Sequence, residues 1–237
     1  SDGMASVYDT TMVVVEPGVV NVTIAEIQNP NTDTTDVSPY ADQLVKTSGI
    51  VTGKEYGNGF YIQDGQGAWN GVWVYVGDSS DVAVGDEVEV TSMVTEYFGL
   101  TELEQPQMVD VLSSGNELPA PEEIQTANLG EEYEGVLVQV TEATADTLFD
   151  RGESGFNDGS GLMRVDDQMY AFTPAVGQTY NITGIGNYSF SNYKLEPRFA
   201  SDVEIVSPDA EQSASLFGAP VDQDHLTRGM DVNPATN

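Results

Sequence analysis

One passage of this sequence occurs twice, at a spacing that matches the length of a small β-domain. Residues 84–91 read Val-Gly-Asp-Glu-Val-Glu-Val-Thr, and residues 176–183 repeat the pattern as Val-Gly-Gln-Thr-Tyr-Asn-Ile-Thr. Further along, Phe98 of the first copy recurs as Phe190 of the second copy, at the same spacing. A fixed period is the strongest indication of duplication that a single sequence offers. The chain is therefore predicted to contain two copies of one domain.

Both copies alternate apolar and polar residues over short segments, which is typical of half-buried β-strands. Turns are predicted where Gly and Asp cluster, as in 64–67, because these residues tolerate positive φ angles. Five strands are predicted in the first copy, at 44–54, 59–63, 71–76, 86–97 and 100–112. Five more are predicted in the second copy, at 134–144, 161–166, 169–173, 178–188 and 193–206.

Five antiparallel strands with a glycine in the long first strand are typical of an OB-type barrel, and a small sandwich is the alternative. Pro119 and Pro121 mark a connector between the copies. The predicted fold is all-β, with two tandem five-stranded OB-like barrels and extended arms at both ends. The predicted domains are an N-terminal arm at 1–21, barrels at 22–116 and 117–206, and a C-terminal tail at 207–237.

Charge and composition exclude several classes of partner and site. The chain has 39 acidic against 7 basic residues, for a formal net charge of −32. Nucleic acid is not expected as a partner, because neutralising phosphates requires clusters of Lys and Arg. The absence of cysteine excludes disulfides, thiolate metal sites and a cysteine nucleophile. No apolar run is long enough to predict a membrane span.

The motifs of the first copy resemble a known family. Segments 59–64, 72–75 and 96–103 are similar to the OB-fold domain of large secreted bacterial nucleases, and the chain from Glu132 onward is similar to the region that follows that domain. The resemblance implies a secreted, non-catalytic module, since a separate metal-dependent domain carries the phosphodiesterase activity of such nucleases. The only histidine, His225, lies in the polar tail. The chain is therefore predicted to be extracellular or at the cell surface, and not an enzyme.

Aromatic residues of the first copy are candidates for a ligand-binding face. In OB-folds these strands can stack bases or sugars, although alternation along a strand turns about half of the side chains inward. The ligand-face candidates are Tyr56, Tyr61, Trp73, Tyr97 and Phe98. Carboxylate pairs such as Glu102 with Glu104 are expected by chance among so many acids and do not indicate glycosidase chemistry.

Oxygen ligands on glycine-rich turns suggest cation sites. Asp64 with Asn70, and Asp158 in the second copy, supply the oxygen atoms that Ca²⁺ prefers. The same residues also form ordinary turns that need no metal. Ca²⁺ is the one cofactor that the sequence suggests.

The two arms contain apolar segments that a solvent-exposed tail does not need. Met12, Val13, Val14 and Val15 form a β-prone run that can add a strand to an open sheet edge. Leu216 and Phe217 are the corresponding apolar residues of the tail. The sequence therefore predicts a structural subunit that polymerises into a filament or array, with other copies of itself as partners. The alternative is a cation-assisted accessory OB module that binds nucleic acid or polysaccharide.

Overall fold

The computed structural model describes residues 18–30, 36–77 and 81–206. A short helix, α1 (Ile24–Gln28), precedes the first barrel and begins with a capping box between Thr23 and Glu26. The predicted assembly residues lie outside the described residues: these are Met12, Val13, Val14, Val15, Leu216 and Phe217.

Five of the six strands of the first sheet close into a barrel. The strands of this sheet are β1 (Val20–Asn21), β2 (Leu44–Glu55), β3 (Gly59–Gln63), β4 (Gly71–Tyr75), β5 (Glu87–Tyr97) and β6 (Leu100–Ser113). The strand order in the barrel is β2-β3-β4-β6-β5, and β5 pairs back with β2, while the short strand β1 pairs with β2 outside the barrel. Within the barrel, β4 and β6 run parallel and the other pairs are antiparallel. This is the five-stranded Greek-key arrangement of an OB barrel.

The second sheet repeats this arrangement. Its strands are β7 (Glu122–Glu123), β8 (Leu137–Leu148), β9 (Ser154–Asn157), β10 (Leu162–Val165), β11 (Thr179–Ser189), β12 (Asn192–Glu196) and β13 (Val203–Ile205). The order β8-β9-β10-β12-β11 closes through a β11–β8 pairing, with β10 and β12 parallel. The prediction of an all-β chain with two five-stranded OB-like barrels is confirmed.

The repeated passage forms the same turn in both barrels, just before the fourth barrel strand. Gly85 and Gly177 adopt φ angles of +89° and +86°, a region that favours glycine. The Gly85 amide donates to the Val51 carbonyl at 2.9 Å, and the Gly177 amide donates to the Ala145 carbonyl at 2.8 Å. The sequence repeat therefore reflects a repeat of backbone geometry.

Each barrel has its own apolar core. Phe60 in the first barrel and Phe156 in the second are fully buried on β3 and β9. Ile24 and Ile27 of α1 are also fully buried and pack into the first core. On α1 the two isoleucines are three residues apart and so share one face of the helix, which packs on the first core.

Two strand predictions in the second copy are wrong. Residues 169–173 form no strand; the second barrel strand is instead β9, upstream of the Asp158 turn. The predicted strand 193–206 is divided into β12 and β13, because Pro197 follows β12 and cannot donate to a strand ladder. A short 3-10 helix, Ala200–Asp202, lies between the two pieces.

The two barrels contact each other through a third apolar cluster. Its buried members come from both sheets and are Tyr61, Trp73, Leu100, Leu137 and Ile185. Two hydrogen bonds cross beside it: the Leu137 amide donates to Gln63 Oε1, and Asn187 Nδ2 donates to the Tyr61 hydroxyl, both at 2.9 Å. The backbones also approach closely, since a Cβ on Gly71 would run into the Gly135 carbonyl.

Candidate functional site

A cleft of about 810 Å³ opens beside this contact between the barrels. Side chains of β3, β4 and β6 and the tips of two hairpins line it. We call it the aromatic cleft, because its wall includes Tyr61, Trp73, Tyr97, Phe98 and Phe190. In OB-folds, the face of strands 2 and 3 and the loop between strands 4 and 5 are the usual ligand-binding elements. The cleft uses these elements of the first barrel and the equivalent hairpin of the second.

The two hairpin tips present the most exposed rings of the cleft. Phe98 is 86 % exposed at the β5–β6 turn, and Phe190 is 79 % exposed at the β11–β12 turn. Both have positive φ angles, of 53° and 50°, which are uncommon for residues other than glycine. Neither ring is buried in a core: Phe98 packs on Tyr97, and the ring centroid of Phe190 lies 5.5 Å from Lys194 Nζ. The exposed part of each ring can contact a ligand.

The floor of the cleft is a fixed aromatic pair. The rings of Tyr61 and Trp73 have centroids 4.5 Å apart and planes inclined by 49°. Burial, together with the nearby Glu196, raises the pKa of Tyr61 well above its ordinary value, so the phenol stays neutral. Tyr97 packs edge-on against Phe98 with centroids 4.9 Å apart. The aromatic surface thus continues from the buried floor to the exposed rim.

The charged groups of the cleft wall are acidic. Glu55, Glu102 and Glu104 line it, and its wall contains no lysine or arginine. Burial, and secondarily the charge of Glu104, raises the pKa of Glu102 to about 7. Burial also raises the pKa of Glu55. Such a wall accepts hydrogen bonds readily, offers a phosphate no cationic partner, and supplies donors only through neutral amide and hydroxyl groups such as those of Gln105 and Ser191.

The structure brings four of the five predicted ligand-face residues together in the cleft. These are Tyr61, Trp73, Tyr97 and Phe98. Tyr56 lies instead on the β2–β3 turn, is 92 % exposed and does not line the cleft. Sequence reasoning did not assign Phe190 to the site, although its recurrence at the offset of Phe98 was the signal that could have done so. A ligand role for all of these residues stays a prediction.

The predicted cation ligands form matching backbone caps in the two barrels. Asp64 Oδ2 accepts from the Ile24 amide at 3.0 Å, and Asp158 Oδ2 accepts from the Thr126 amide at 3.0 Å. Asn70 Nδ2 donates to the Gln66 carbonyl at 3.0 Å. Within residues 18–30, 36–77 and 81–206, no three His, Asp or Glu side chains are grouped to hold a metal. The Ca²⁺ site stays a prediction.

The cap in the second barrel is the stronger of the two. Burial disfavours the ionised form of Asp158, but hydrogen bonds from Ser160 and Thr126 lower its pKa below the ordinary value. At Asp64, burial outweighs the hydrogen bond from Ile24 and raises the pKa. Asp64 and Asp158 thus each accept a hydrogen bond from a backbone amide in the segment that precedes their barrel.

Comparison with known proteins gives one relative by sequence. No protein-family model matches the chain. Endonuclease YhcR of Bacillus subtilis is 25 % identical over 188 residues, which cover 70 % of this chain and 15 % of that protein. The chain thus spans less than a sixth of its relative's length. The match is consistent with the nuclease resemblance of the motifs.

Comparison with solved structures gives matches of low similarity. A murine DNA-binding protein bound to double-stranded DNA matches 69 % of this chain and 97 % of its own, with a TM-score of 0.38 and 12 % identity. The Ifi202 HINa domain in complex with 20-base-pair DNA matches 70 % of this chain and 96 % of its own, with a TM-score of 0.34 and 12 % identity.

These findings correct the predicted partners. The sequence predicted other copies of the chain as partners and not nucleic acid, but the relative found by sequence is an endonuclease. The prediction from net charge is therefore wrong. It assumed that phosphate contacts must carry the affinity, whereas the cleft offers aromatic faces and acceptors instead. Filament assembly has no support in the described part of the chain. No helix there is long and apolar enough to cross a membrane.

Proposed function

We propose that this chain is a non-catalytic module that binds single-stranded nucleic acid in the aromatic cleft and accompanies a nuclease activity located elsewhere. The observation that carries the proposal is the pair of exposed rings, Phe98 and Phe190, at equivalent hairpin tips beside the Tyr61–Trp73 floor. Stacking of a base on an aromatic side chain is worth about 1–3 kcal/mol. The similarity to a bacterial endonuclease supports the same proposal.

Unpaired bases fit the chemistry of the cleft better than a duplex does. Stacking on Phe98 or Phe190 requires a free base face, which a duplex hides within its own stack. The volume of about 810 Å³ lies within the roughly 300–1,000 Å³ range of ligand pockets. The carboxyl group of Glu102 can accept hydrogen bonds from the amino groups of bases. The bases therefore enter the cleft while the phosphates remain outside.

The charge of the chain sets the conditions for this binding. With a net charge of −32, the protein repels the phosphate backbone at low ionic strength. The Debye length shortens from about 30 Å at 0.01 M salt to about 10 Å at 0.1 M, and divalent cations can bridge acids to phosphates. Salt and cations therefore assist binding. Such conditions are those of an extracellular, salt-exposed module, which is the location we propose.

Salt dependence distinguishes this mode from ordinary nucleic-acid binding. We expect the affinity for a labelled single-stranded 12-mer, measured by fluorescence anisotropy, to rise between 20 and 300 mM NaCl and to rise further with Mg²⁺. Proteins that neutralise phosphates with Lys and Arg lose affinity over such a range because they release counterions. A steep fall of affinity with salt would contradict binding through the aromatic cleft.

The exposed rings supply the second test. Phe98→Ala combined with Phe190→Ala is expected to weaken binding of the same 12-mer by about 30-fold or more, since two stacking contacts are lost. Phe199→Ala is the matched control, because Phe199 is 44 % exposed and does not line the cleft. Equal affinity of the double variant and the control would contradict the proposal. Binding of chito- or cello-oligosaccharides in place of the 12-mer would assign the cleft to sugars.

A further inference from the structure

One acid of the cleft, Glu102, has no hydrogen-bond partner among the described residues. Glu102 lies on β6 between Trp73 of β4 and Thr95 of β5, the residues that face it in the strand registers. Glu102 is 4 % exposed and lines the aromatic cleft. Among the hydrogen bonds of the described residues, none involves its carboxyl group. Its neighbour Glu104, in contrast, accepts from Thr95 Oγ1 at 3.1 Å.

The carboxyl oxygens of Glu102 are open to the cleft, since they are not among the buried oxygen atoms that lack a hydrogen bond in the described residues. A group bound in the cleft can therefore reach them and supply the hydrogen bonds that the described residues do not. Glu102 faces the cleft beside the fixed ring of Trp73. The cleft is therefore where its hydrogen-bond partner belongs.

We propose, building on the proposed function, that Glu102 hydrogen-bonds the Watson–Crick edge of a base held beside Trp73 and makes the aromatic cleft prefer guanine. An ionised carboxylate has two acceptor oxygens and no donor. Guanine presents two adjacent donors on this edge, its N1–H and its 2-amino group. Adenine, cytosine and thymine each place an acceptor beside their donor, which a carboxylate repels. Glu102 thus acts as a specificity-determining residue.

The protonation of Glu102 governs this preference. A protonated carboxyl group offers one donor and one acceptor, which suits adenine, cytosine and thymine as well. Because the pKa of Glu102 is raised to about 7, the ionised form predominates above that pH and the protonated form below it. Guanine preference is therefore expected at pH 8 and not at pH 6. The other titratable groups that line the cleft are Glu55, Glu104, Tyr61, Tyr75, Tyr97 and Tyr188.

The test uses four labelled oligonucleotides that differ at one position, (dT)5-dX-(dT)5, where X is G, A, C or T. At pH 8, the full-length protein is expected to bind the G oligonucleotide about 5- to 100-fold more tightly than the T oligonucleotide, the discrimination of a good bidentate contact. At pH 6 the ratio is expected to fall below about 3. Affinities are measured by anisotropy at 300 mM NaCl with Mg²⁺.

Two variants separate the role of Glu102 from general damage to the cleft. Glu102→Gln keeps the shape but always offers a donor, so it is expected to lose guanine preference at both pH values. Glu104→Gln removes the charge that helps to raise the pKa of Glu102. It is expected to retain guanine preference and to move the pH at which the preference appears downward. If Glu102→Gln does not fold, Glu102→Asp is tested in its place. This variant withdraws the carboxyl group from the base and is expected to weaken the preference.

The outcomes distinguish the two proposals. If none of the four oligonucleotides binds the unaltered protein, the proposed function fails. If all bind without guanine preference at pH 8, or if Glu102→Gln retains that preference, the inference on Glu102 is wrong while nucleic-acid binding stands.

Discussion

Replacing Gly135 with alanine is expected to lower the free energy of unfolding by roughly 3–5 kcal/mol, which lowers the Tm by roughly 6–20 °C for a chain of this size. Gly135 has a φ of +74° and lies where the backbones of the two barrels meet. An added Cβ would collide with backbone atoms of Gly71 and Val72. Backbone atoms cannot rotate away as a side chain can, so the barrels must separate locally. Thermal unfolding followed by circular dichroism measures the change.

Two further glycine variants separate the causes of this loss. Gly115→Ala has nearly the same φ, +73°, with no atom near the added Cβ, and it is expected to cost only the 1–2 kcal/mol of a left-handed backbone. Gly71→Ala introduces the collision, with the Gly135 carbonyl, at a residue whose φ is not positive. A Gly135→Ala variant no less stable than Gly115→Ala would show that the barrels do not approach closely.

Replacing Lys194 with methionine is expected to destabilise the second barrel by roughly 3–5 kcal/mol. Lys194 is 1 % exposed, and its Nζ lies 2.7 Å from Glu153 Oε1 and 2.8 Å from Asp166 Oδ2. Removal of the ammonium group leaves the buried Asp166 without its cation and leaves Glu153 paired with Arg164 alone. The loss is measured by urea unfolding at pH 7.

The contribution of charge to the stability of this cluster can be tested with a double variant and through the pH dependence of unfolding. Adding Asp166→Asn to Lys194→Met is expected to recover part of the lost stability, because one uncompensated charge is removed. Burial opposes the charge on Lys194, but hydrogen bonds to Asp166 and Glu153 hold its pKa above the ordinary 10.5. Its contribution to stability is therefore present below pH 10.5 and is lost only as pH rises through the higher folded-state value. Equal stability of the single and double variants would contradict the assignment.

The strands of the first barrel could be predicted to within one or two residues because their local signals agree. Alternating side chains, as in β5, and glycine-containing turns, as before β3 and β4, both mark the same boundaries. The repeat then predicted the turn before β11 correctly. The local sequence pattern and the packing of the barrel therefore favour the same strand boundaries wherever a strand is long and buried on one face.

The second barrel shows where local signals fail. The short strand β9 contains Gly155, and glycine has low strand propensity. A Cβ at Gly155 would crowd the side chains of Leu162 and Thr147, so packing requires the glycine that hides the strand in the sequence. Residues 169–173 have strand-like composition, but Tyr170 and Phe172 stack on each other, with ring centroids 6.4 Å apart, outside any strand. These features depend on tertiary contacts.

The candidate site was only partly visible in the sequence. The aromatic residues of β3, β4 and the β5–β6 turn could be listed from the OB-like pattern. The participation of Phe190 was indicated only by its recurrence at the offset of Phe98, and its place in the cleft depends on how the second barrel meets the first. Glu102 was dismissed as one acid among many, and only the structure shows that it lines the cleft without a hydrogen-bond partner among the described residues. The prediction of partners from net charge was wrong for the same reason, because net charge does not show where the acidic residues lie.

The paired aspartate caps have a practical consequence for dissecting the molecule. Asp64 and Asp158 each join a barrel to chain that lies upstream of its first long strand, at Ile24 and Thr126. A fragment that starts at Leu44 or Leu137 would leave that upstream piece behind. Asn116 bonds back to Gly85 of the first barrel, whereas β7 pairs with β8 of the second. Residues 117–121 are therefore the place to cut if single barrels are to be produced, or exchanged between relatives, as intact modules.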